Sequence, residues 1–241
     1  MSLLTVKSNG SSLGNLFSDF TSLFFPEYCL GCSSGLLKGE EILCTRCLVN
    51  LPRTGYLSVE ENPVKEKFIG RLPIKNAWAF LRFRKTGIVQ YLLHQLKYNH
   101  HPEVGIRLGK LFGKELKEQG FNSEFDTIVP LPLFASRQKF RGYNQSAKFA
   151  EGLSDSLGVP FNSNCCSRLK NTETQTRKTR VERWENVELA FFVKDKKAIE
   201  NKRVLLVDDV ITTGATIEAC GRQILNSGCK ELSVVCIAEA Q

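Results

Sequence analysis

The 241-residue chain predicts an α/β protein with a mostly parallel central sheet, helices on both faces and a small N-terminal zinc-knuckle lobe. Three observations predict this fold class. Short apolar strand patterns alternate with helical patterns from residue 77 onward, as is typical of a parallel sheet covered on both faces. Two Cys-x2-Cys pairs lie close together near the N-terminus. An apolar run at residues 204–207 ends in two acids, and a turn rich in threonine follows them.

The composition is that of an ordinary globular protein with a basic surplus. Lys and Arg number 33 against 25 Asp and Glu, so the net charge is +8. This charge suits a phosphate-rich partner, either a small phosphorylated metabolite or a nucleic acid, but it is also compatible with a basic soluble protein that has no such partner. The chain has nine cysteines, an odd number, which favours metal ligands and buried thiols over disulfides.

The sequence also bears on location. Ser, Asn and Gly interrupt residues 1–14, so we expect no secretory signal. No later stretch approaches the ~20 apolar residues that span a bilayer. We therefore expect a cytoplasmic protein without membrane insertion.

Residues 12–25 predict a short amphipathic helix that ends at Pro26. Its apolar stripe consists of Leu13, Leu16, Phe17, Phe20 and Phe24. We expect residues 1–60 to comprise this helix and a four-cysteine lobe. Residues 75–241 are expected to form the α/β domain.

Four cysteines follow this helix in a spacing typical of a zinc site. They are Cys29, Cys32, Cys44 and Cys47. Each pair can present two thiolates from one tight knuckle, with Gly31 permitting the first turn, and two knuckles close a tetrahedral zinc site. Four protein ligands leave no open position, so the metal is expected to be structural and to stabilise a lobe too small for its own core. A redox dithiol or two chance pairs are the alternatives.

The remaining elements follow one another as strand, two helices, strand, helix, strand, helix and strand. Strands are expected at 77–84, 125–133, 203–210 and 233–240, and helices at 87–98, 102–120, 144–158 and 215–228. In such a sheet, ligands bind beyond the carboxyl ends of the strands.

The turn after the third of these strands has the chemistry of an anion site. A helix begins near Gly214, and the N-terminus of a helix exposes backbone N–H groups to an anion. Glycine lets the backbone approach a phosphate closely. The residues expected to bind the anion are Thr212, Thr213, Gly214, Ala215 and Thr216.

Asp208 and Asp209 precede this turn and need a different partner, because like charges repel a phosphate. A ribose diol, or Mg2+ held through water, meets that need. A single ligand with a phosphate, a diol and a magnesium-bound diphosphate would satisfy the whole stretch. The alternative is a helix cap preceded by two solvated acids.

Residues 208–216, DDVITTGAT, resemble the phosphoribosyl diphosphate (PRPP) signature of type I phosphoribosyltransferases. The resemblance implies a type I phosphoribosyltransferase-like fold. It also implies that the acids bind the ribose hydroxyls and that the following turn binds the 5-phosphate.

Further motifs make the chain similar to the ComF family, which is associated with competence for DNA uptake. They comprise the cysteine quartet, Leu96-Lys97-Tyr98, Pro130-Leu-Pro132, Arg137, residues 141–145 (RGYNQ), Thr174-Gln175, Arg180, Arg183, Asn186, Ala190 and Phe191. Tyr143 stands where Phe is more usual. The resemblance implies that Lys97 and Tyr98 also belong to the PRPP-binding residues. The ring of Tyr98 could stack on a base or simply pack against the protein.

Two basic segments accompany these motifs. Residues 127–150 contain no acid, and Arg137 and Arg141 are expected to stabilise charge on a departing diphosphate, unless this is only a solvated basic loop. Residues 168–183 carry six basic and two acidic residues. They fit either a lid over a bound anion or a strip that contacts single-stranded nucleic acid.

Two functions follow from these patterns. The first is Mg2+-dependent transfer of a phosphoribosyl group to an unknown acceptor, with Asp208, Asp209, Arg137 and Arg141 as the catalytic residues. No general base is evident, so positioning and leaving-group stabilisation would carry the reaction. The second is a non-catalytic protein of natural transformation that senses PRPP and binds single-stranded DNA or the competence machinery. The sequence specifies neither the acceptor nor the oligomeric state.

Overall fold

A computed structural model describes residues 27–168 and 191–240. The chain divides into two compact units between Asn50 and Leu51. The predicted amphipathic helix at 12–25 and all of the basic segment 168–183 except its first residue lie outside the described residues. Within the described ranges, no helix is long and apolar enough to span a membrane.

The first unit has little regular structure. Its one described helix, α1, spans Thr45–Val49. Glu40 holds two backbone segments together, because its carboxylate accepts hydrogen bonds from the N–H groups of Leu37 at 2.9 Å and Thr45 at 2.6 Å. The buried apolar side chains of the described part of this unit are the cysteines 29, 44 and 47 and Leu43.

The second unit contains the main sheet and most of the helices. In chain order, its strands and helices are α2 Pro63–Glu66, β1 Ala77–Phe83, α3 Ile88–Tyr98, α4 Pro102–Glu118, β2 Thr127–Pro130, α5 Ala135–Arg141, α6 Gln145–Leu157, β3 Cys166–Arg168, β4 Phe191–Val193, β5 Arg203–Ile211, α7 Ala215–Asn226 and β6 Glu231–Ala240. The described part of the chain also has short 3-10 turns at Tyr56–Ser58, Phe121–Glu124 and Lys196–Ala198.

The main sheet has four parallel strands in the order β1-β6-β5-β2. Strand β6, the last in the chain, therefore lies between β1 and β5. A separate antiparallel pair is formed by β3 and β4. The predicted parallel sheet is confirmed.

Helices cover both faces of the main sheet. Ala77 and Leu206 both pair with Val234 of β6, so their side chains lie on the same face of the sheet. On that face, Leu206 lies beside Gly221 of α7. Phe80 is three residues beyond Ala77 and points to the opposite face, because side chains alternate along a strand. There its ring stacks on Phe112 of α4, with 5.0 Å between the ring centroids. Helix α7 therefore covers one face and α4 the other.

Helices α4 and α6 approach each other closely enough to require glycine at the crossing. A Cβ atom on Gly109 would lie 2.3 Å from the carbonyl oxygen of Phe149, and one on Gly152 would lie 2.1 Å from that of Ile106. Both clashes involve backbone atoms, which no rotamer change can relieve.

Residues 51–72 belong to the second unit, whereas the sequence suggested an N-terminal lobe that continues to residue 60. The side chain of Asn62 caps α2 by accepting hydrogen bonds from the N–H groups of Val64 and Lys65. The side chains of Val64, Phe68 and Leu72 are buried in the second unit. This burial explains why the segment is part of the larger core.

Strand β2 is shorter than the predicted strand at 125–133. Its pairing with β5 covers Thr127–Pro130, and the last backbone bond runs from the N–H of Leu131 to the carbonyl oxygen of Val207 at 2.8 Å. Pro132 has no N–H group and cannot extend the ladder.

Candidate functional site

The two acids lie within strand β5 and not in the turn after it. The strand continues to Ile211, because β6 runs beside it and pairs with Asp208, Val210 and Ile211. Asp208 and Asp209 are both half-buried at the carboxyl end of the sheet. They occupy the edge at which parallel sheets bind ligands.

Asp208 is held by hydrogen bonds from two donors. Its Oδ1 atom accepts from the hydroxyl of Ser146 at 3.0 Å and from the backbone N–H of Asp209 at 2.8 Å. Burial, with the charge of Asp209 as the next cause, raises the pKa of Asp208 from 3.8 to about 7. Ser146 was missed in the sequence, because no periodic or spacing signal connects the first turn of α6 with β5.

Asp208 is therefore expected to make stability depend on pH. Between its unfolded pKa of 3.8 and its folded pKa of about 7, the folded chain holds a proton that the unfolded chain releases. The free energy of unfolding should fall as the pH rises from about 4 to about 7, and this decrease should be smaller in Asp208→Asn. Denaturant unfolding of both proteins at several pH values measures the difference. Identical pH profiles would contradict the raised pKa.

Asp209 forms an ion pair with Lys97 from the last turn of α3. Lys97 Nζ lies 2.8 Å from Asp209 Oδ2, and both side chains are largely buried. Lys97 and the two acids therefore lie at the same end of the sheet. Tyr98, the next residue, is exposed. The guanidinium carbon of Arg141 lies over the Tyr98 ring, 5.4 Å from the ring centroid.

The turn between β5 and α7 exposes the groups that an anion would contact. Helix α7 begins directly after Gly214, whose φ of 78° is left-handed. Thr212, Thr213 and Ala215 are exposed, and Thr216 is half-buried. The first hydrogen bond of the helix runs from the N–H of Glu218 to the carbonyl oxygen of Gly214, at 2.8 Å. The backbone N–H groups before Glu218 therefore have no acceptor within the helix and point toward the turn.

Arg137 and Arg141 lie on a helix, although the sequence suggested a loop. Helix α5 carries both, and together with Tyr98, Ser136 and Phe140 they line a cleft of about 410 Å³. Arg141 Nη1 donates to the side-chain oxygen of Gln145 at 2.8 Å, which joins α5 to α6.

Arg168 is a further cation at this site, and the sequence indicated it only as the first residue of a basic segment. Its guanidinium lies 3.8 Å from the ring centroid of Phe134 and 4.8 Å from that of Phe191. Within the described ranges, its buried Nε atom has no hydrogen-bond partner. Burial and the neighbouring Arg137 lower the pKa of Arg168, while Asp208 acts in the opposite sense. Arg168 is thus a desolvated cation close to both Arg137 and Asp208.

The cysteine quartet forms a compact cluster in the first unit. The four sulfur atoms lie within 4.8 Å of one another. Cys29 Sγ accepts hydrogen bonds from the N–H groups of Gly31 at 3.3 Å and Cys44 at 3.2 Å, as metal-bound groups commonly do. The first knuckle has its left-handed residue at Ser33, with φ of 60°, and not at Gly31. Four converging thiols can hold a structural metal such as zinc.

The other cysteines have the predicted burial. Cys165, Cys166, Cys220 and Cys236 are buried, and Cys229 is half-buried. None of the nine cysteines, all of which lie in the described ranges, forms a disulfide.

The chain is similar to one family model and to several known proteins. A family model described as "Phosphoribosyl transferase domain" matches residues 143–241, which include both acids and the turn. The chain is similar to competence protein F of Haemophilus influenzae, with 27% identity over 226 residues, covering 90% of this chain and 99% of that protein. It is also similar to DNA utilization protein YhgH of Salmonella typhimurium, with 30% identity over 156 residues, covering 63% of this chain and 67% of that protein.

Among solved structures, the chain is similar to the glutamine PRPP amidotransferase from B. subtilis. The TM-score is 0.42 and the identity 19%, over 60% of this chain and 30% of that chain. The match of residues 143–241 to the phosphoribosyltransferase model, on a parallel sheet of the expected kind, establishes the type I phosphoribosyltransferase fold. From its similarity to competence protein F and YhgH, together with this domain, we conclude that the chain belongs to the ComF family.

Proposed function

We propose that the chain binds PRPP with Mg2+ at the carboxyl end of β5 and transfers its phosphoribosyl group to an acceptor. One observation carries the proposal. Two half-buried acids lie directly before an exposed threonine turn that opens a helix of the phosphoribosyltransferase domain. Such a turn suits a phosphate, and the acids suit hydroxyl groups.

Each part of PRPP has matching groups at the site. Residues 212–216 would bind the 5-phosphate through backbone N–H groups and threonine hydroxyls. Asp208 and Asp209 would accept hydrogen bonds from the ribose hydroxyls, and the ion pair with Lys97 would keep Asp209 oriented. Tyr98 lines the neighbouring cleft, where it could contact the diphosphate or a base.

The diphosphate would be stabilised as it leaves the anomeric carbon. Arg137 and Arg141 line the cleft, and Arg168 adds a desolvated guanidinium beside Arg137. Cations that are already in place can stabilise the charge that develops on a leaving group without further reorganisation. The carboxylates of Asp208 and Asp209 are the hard oxygen donors that Mg2+ prefers, and Mg2+ would neutralise part of the diphosphate charge.

Replacement of both acids tests this site. Asp208→Asn/Asp209→Asn is expected to weaken PRPP binding in the presence of Mg2+ by roughly a hundredfold, because two charge-assisted hydrogen bonds are lost. Isothermal titration calorimetry measures the affinities. Asp155→Asn, at an exposed ion pair on α6, is the matched control and should bind like the wild type. Absence of binding by the wild type would refute the proposal, and equal binding by the double variant would refute the role of the acids.

A second candidate function is a non-catalytic PRPP sensor that binds single-stranded DNA. The observation in its favour is the cleft beside α5, where Phe140 is 74% and Tyr98 52% exposed next to Arg137 and Arg141. Exposed aromatic rings among cations are typical of surfaces that bind single strands. The relatives named for competence and DNA utilization are compatible with this function.

Two measurements distinguish the candidates. PRPP consumption is measured with a panel of nucleobases and amines, and oligonucleotide binding is measured at increasing salt. Turnover with any acceptor favours the transferase. Binding that weakens steeply with salt, without turnover, favours the sensor.

We further propose that the cysteine quartet binds one structural zinc ion. Tetrahedral thiolate sites favour zinc, and the N–H···S hydrogen bonds from Gly31 and Cys44 suit a metal-bound Cys29 sulfur.

A further inference from the structure

We infer that residues 62–72 form a brace that holds the phosphate loop, residues 212–216, in the shape that binds an anion. This positioning role rests on the function proposed above for the loop. The brace is close in sequence to neither the loop nor the acids, and no motif in it indicates a role. Its contacts with both sides of the loop carry the inference.

Arg71 joins three parts of the chain through one guanidinium. Its Nη1 donates to the carbonyl oxygen of Thr213 at 2.9 Å and to that of Lys67 at 2.9 Å. Its Nε donates to Glu218 Oε2 at 3.0 Å, and its Nη2 contacts the same oxygen. Because the guanidinium is planar and its donors are fixed, these bonds together define where the Thr213 carbonyl can lie.

Glu218 anchors this arrangement and is not available to a ligand. It lies in the first turn of α7, and only 5% of its surface is exposed. Its other oxygen accepts a hydrogen bond from Arg222 Nη2 at 2.9 Å, and Arg222 also donates to the carbonyl oxygen of Arg71 at 3.1 Å. A buried carboxylate needs such partners, and here they fix the start of α7 to the brace.

Phe68 supports the loop from the core side. Its ring is 1% exposed, and a Cβ atom on Gly214 would lie 3.0 Å from the ring. The left-handed backbone of Gly214 therefore packs directly on a buried aromatic side chain. The loop cannot move toward the core at its central residue.

Lys67 connects the brace to β6, the strand that pairs with the end of β5 just before the loop. Its Nζ lies 3.0 Å from Oε1 of Glu239, which is 2% exposed and pairs with Ile211, the last residue of β5. The hydroxyl of Tyr56 donates to the second oxygen of Glu239 at 3.0 Å. Lys67 thus binds a buried carboxylate on β6, the neighbour of the strand that precedes the loop, and Arg71 binds one on α7, the helix that follows it.

These contacts give the loop its shape before a ligand arrives. Thr212 and Thr213 are exposed, so burial of their own side chains does not hold their backbone in place. A binding group is effective only when it is held within about 0.5 Å of its place, and a loop that must be ordered on binding loses affinity. We therefore assign Arg71 as a positioning residue for phosphate binding.

The test compares Arg71→Met with Lys65→Met. Both changes remove one positive charge from the brace, but the partner of Lys65 is the exposed Glu61, at 3.2 Å, and not a group of the loop. Ribose 5-phosphate is titrated by calorimetry well below the unfolding temperature of each protein. Arg71→Met should raise the Kd about tenfold or more, and Lys65→Met should change it by less than about twofold. A purely structural role would lower the unfolding temperature of Arg71→Met without changing the Kd.

Arg71→Lys provides a second variant that keeps the ion pair with Glu218 but loses the fixed fork of donors. It should fold and should raise the Kd by about threefold or more. A wild-type Kd in folded Arg71→Met, or in Arg71→Lys if Arg71→Met does not fold, would overturn the inference and leave the proposed function intact. If the wild type binds neither ribose 5-phosphate nor PRPP, the proposed function fails and the inference fails with it.

Discussion

Gly152→Ala is expected to lower the free energy of unfolding of the second unit by about 3 kcal/mol. The new Cβ atom would lie 2.1 Å from the carbonyl oxygen of Ile106 and 2.8 Å from the backbone nitrogen of Lys110. Because both atoms belong to the backbone of α4, the two helices must separate to make room. Separation would loosen the stack of Phe112 on Phe149, whose ring centroids lie 6.5 Å apart.

The sign of this effect distinguishes packing from helix propensity. Alanine is favoured over glycine inside a helix by about 1 kcal/mol, so propensity alone predicts a more stable variant. Denaturant unfolding followed by circular dichroism measures the change. Asp155→Ala on the exposed side of the same helix is the control and should stay within about 0.5 kcal/mol of the wild type. Unchanged or increased stability of Gly152→Ala would show that the helices cross less closely than described here.

Loss of a zinc ligand is expected to unfold the first unit and to leave the second folded. Cys44→Ser removes one of four thiolates, and metal binding supplies roughly 10 kcal/mol to small zinc-dependent folds. In the described part of this unit, the side chains that could form a core are little more than the cysteines themselves and Leu43. We therefore expect zinc content to fall from one per chain to nearly none and residues 27–50 to become sensitive to protease.

Metal analysis and limited proteolysis with mass spectrometry measure these two outcomes. Cys229→Ser, at a half-buried thiol outside the quartet, is the matched control and should retain zinc. A chelator applied to the wild type should reproduce the protease sensitivity of Cys44→Ser. A wild-type protein that is purified without metal and is equally resistant to protease before and after chelation would refute the proposed zinc site.

The elements of the second unit were largely predictable, because each carries its own period. Residues 204–207 form a continuous buried run, and Ile217, Cys220 and Ile224 form the buried face of α7. The order of the strands was not predictable in this way. Strand β6 lies between β1 and β5, and no local pattern records this order, because it depends on pairing between strands such as β1 and β6 that are far apart in the chain.

The candidate site also has a part that the sequence indicates and a part that it does not. Asp208, Asp209 and residues 212–216 are contiguous, so their chemistry could be deduced from one stretch of sequence. The sequence indicates a loop where helix α5 lies, because residues 135–141 form a short, mostly polar segment without the buried stripe that would indicate a helix.

Local patterns were therefore sufficient for the fold class, the cysteine quartet and the acid-and-threonine turn, since each depends on neighbours in the chain. The partners that tune these groups came only from the folded structure. Ser146 bonds Asp208 across 62 residues, and Arg71 bonds Glu218 across 147. Such pairs meet only when the sheet has brought distant segments to one edge, where burial raises the pKa of Asp208 and Arg71 contacts the carbonyl oxygen of Thr213.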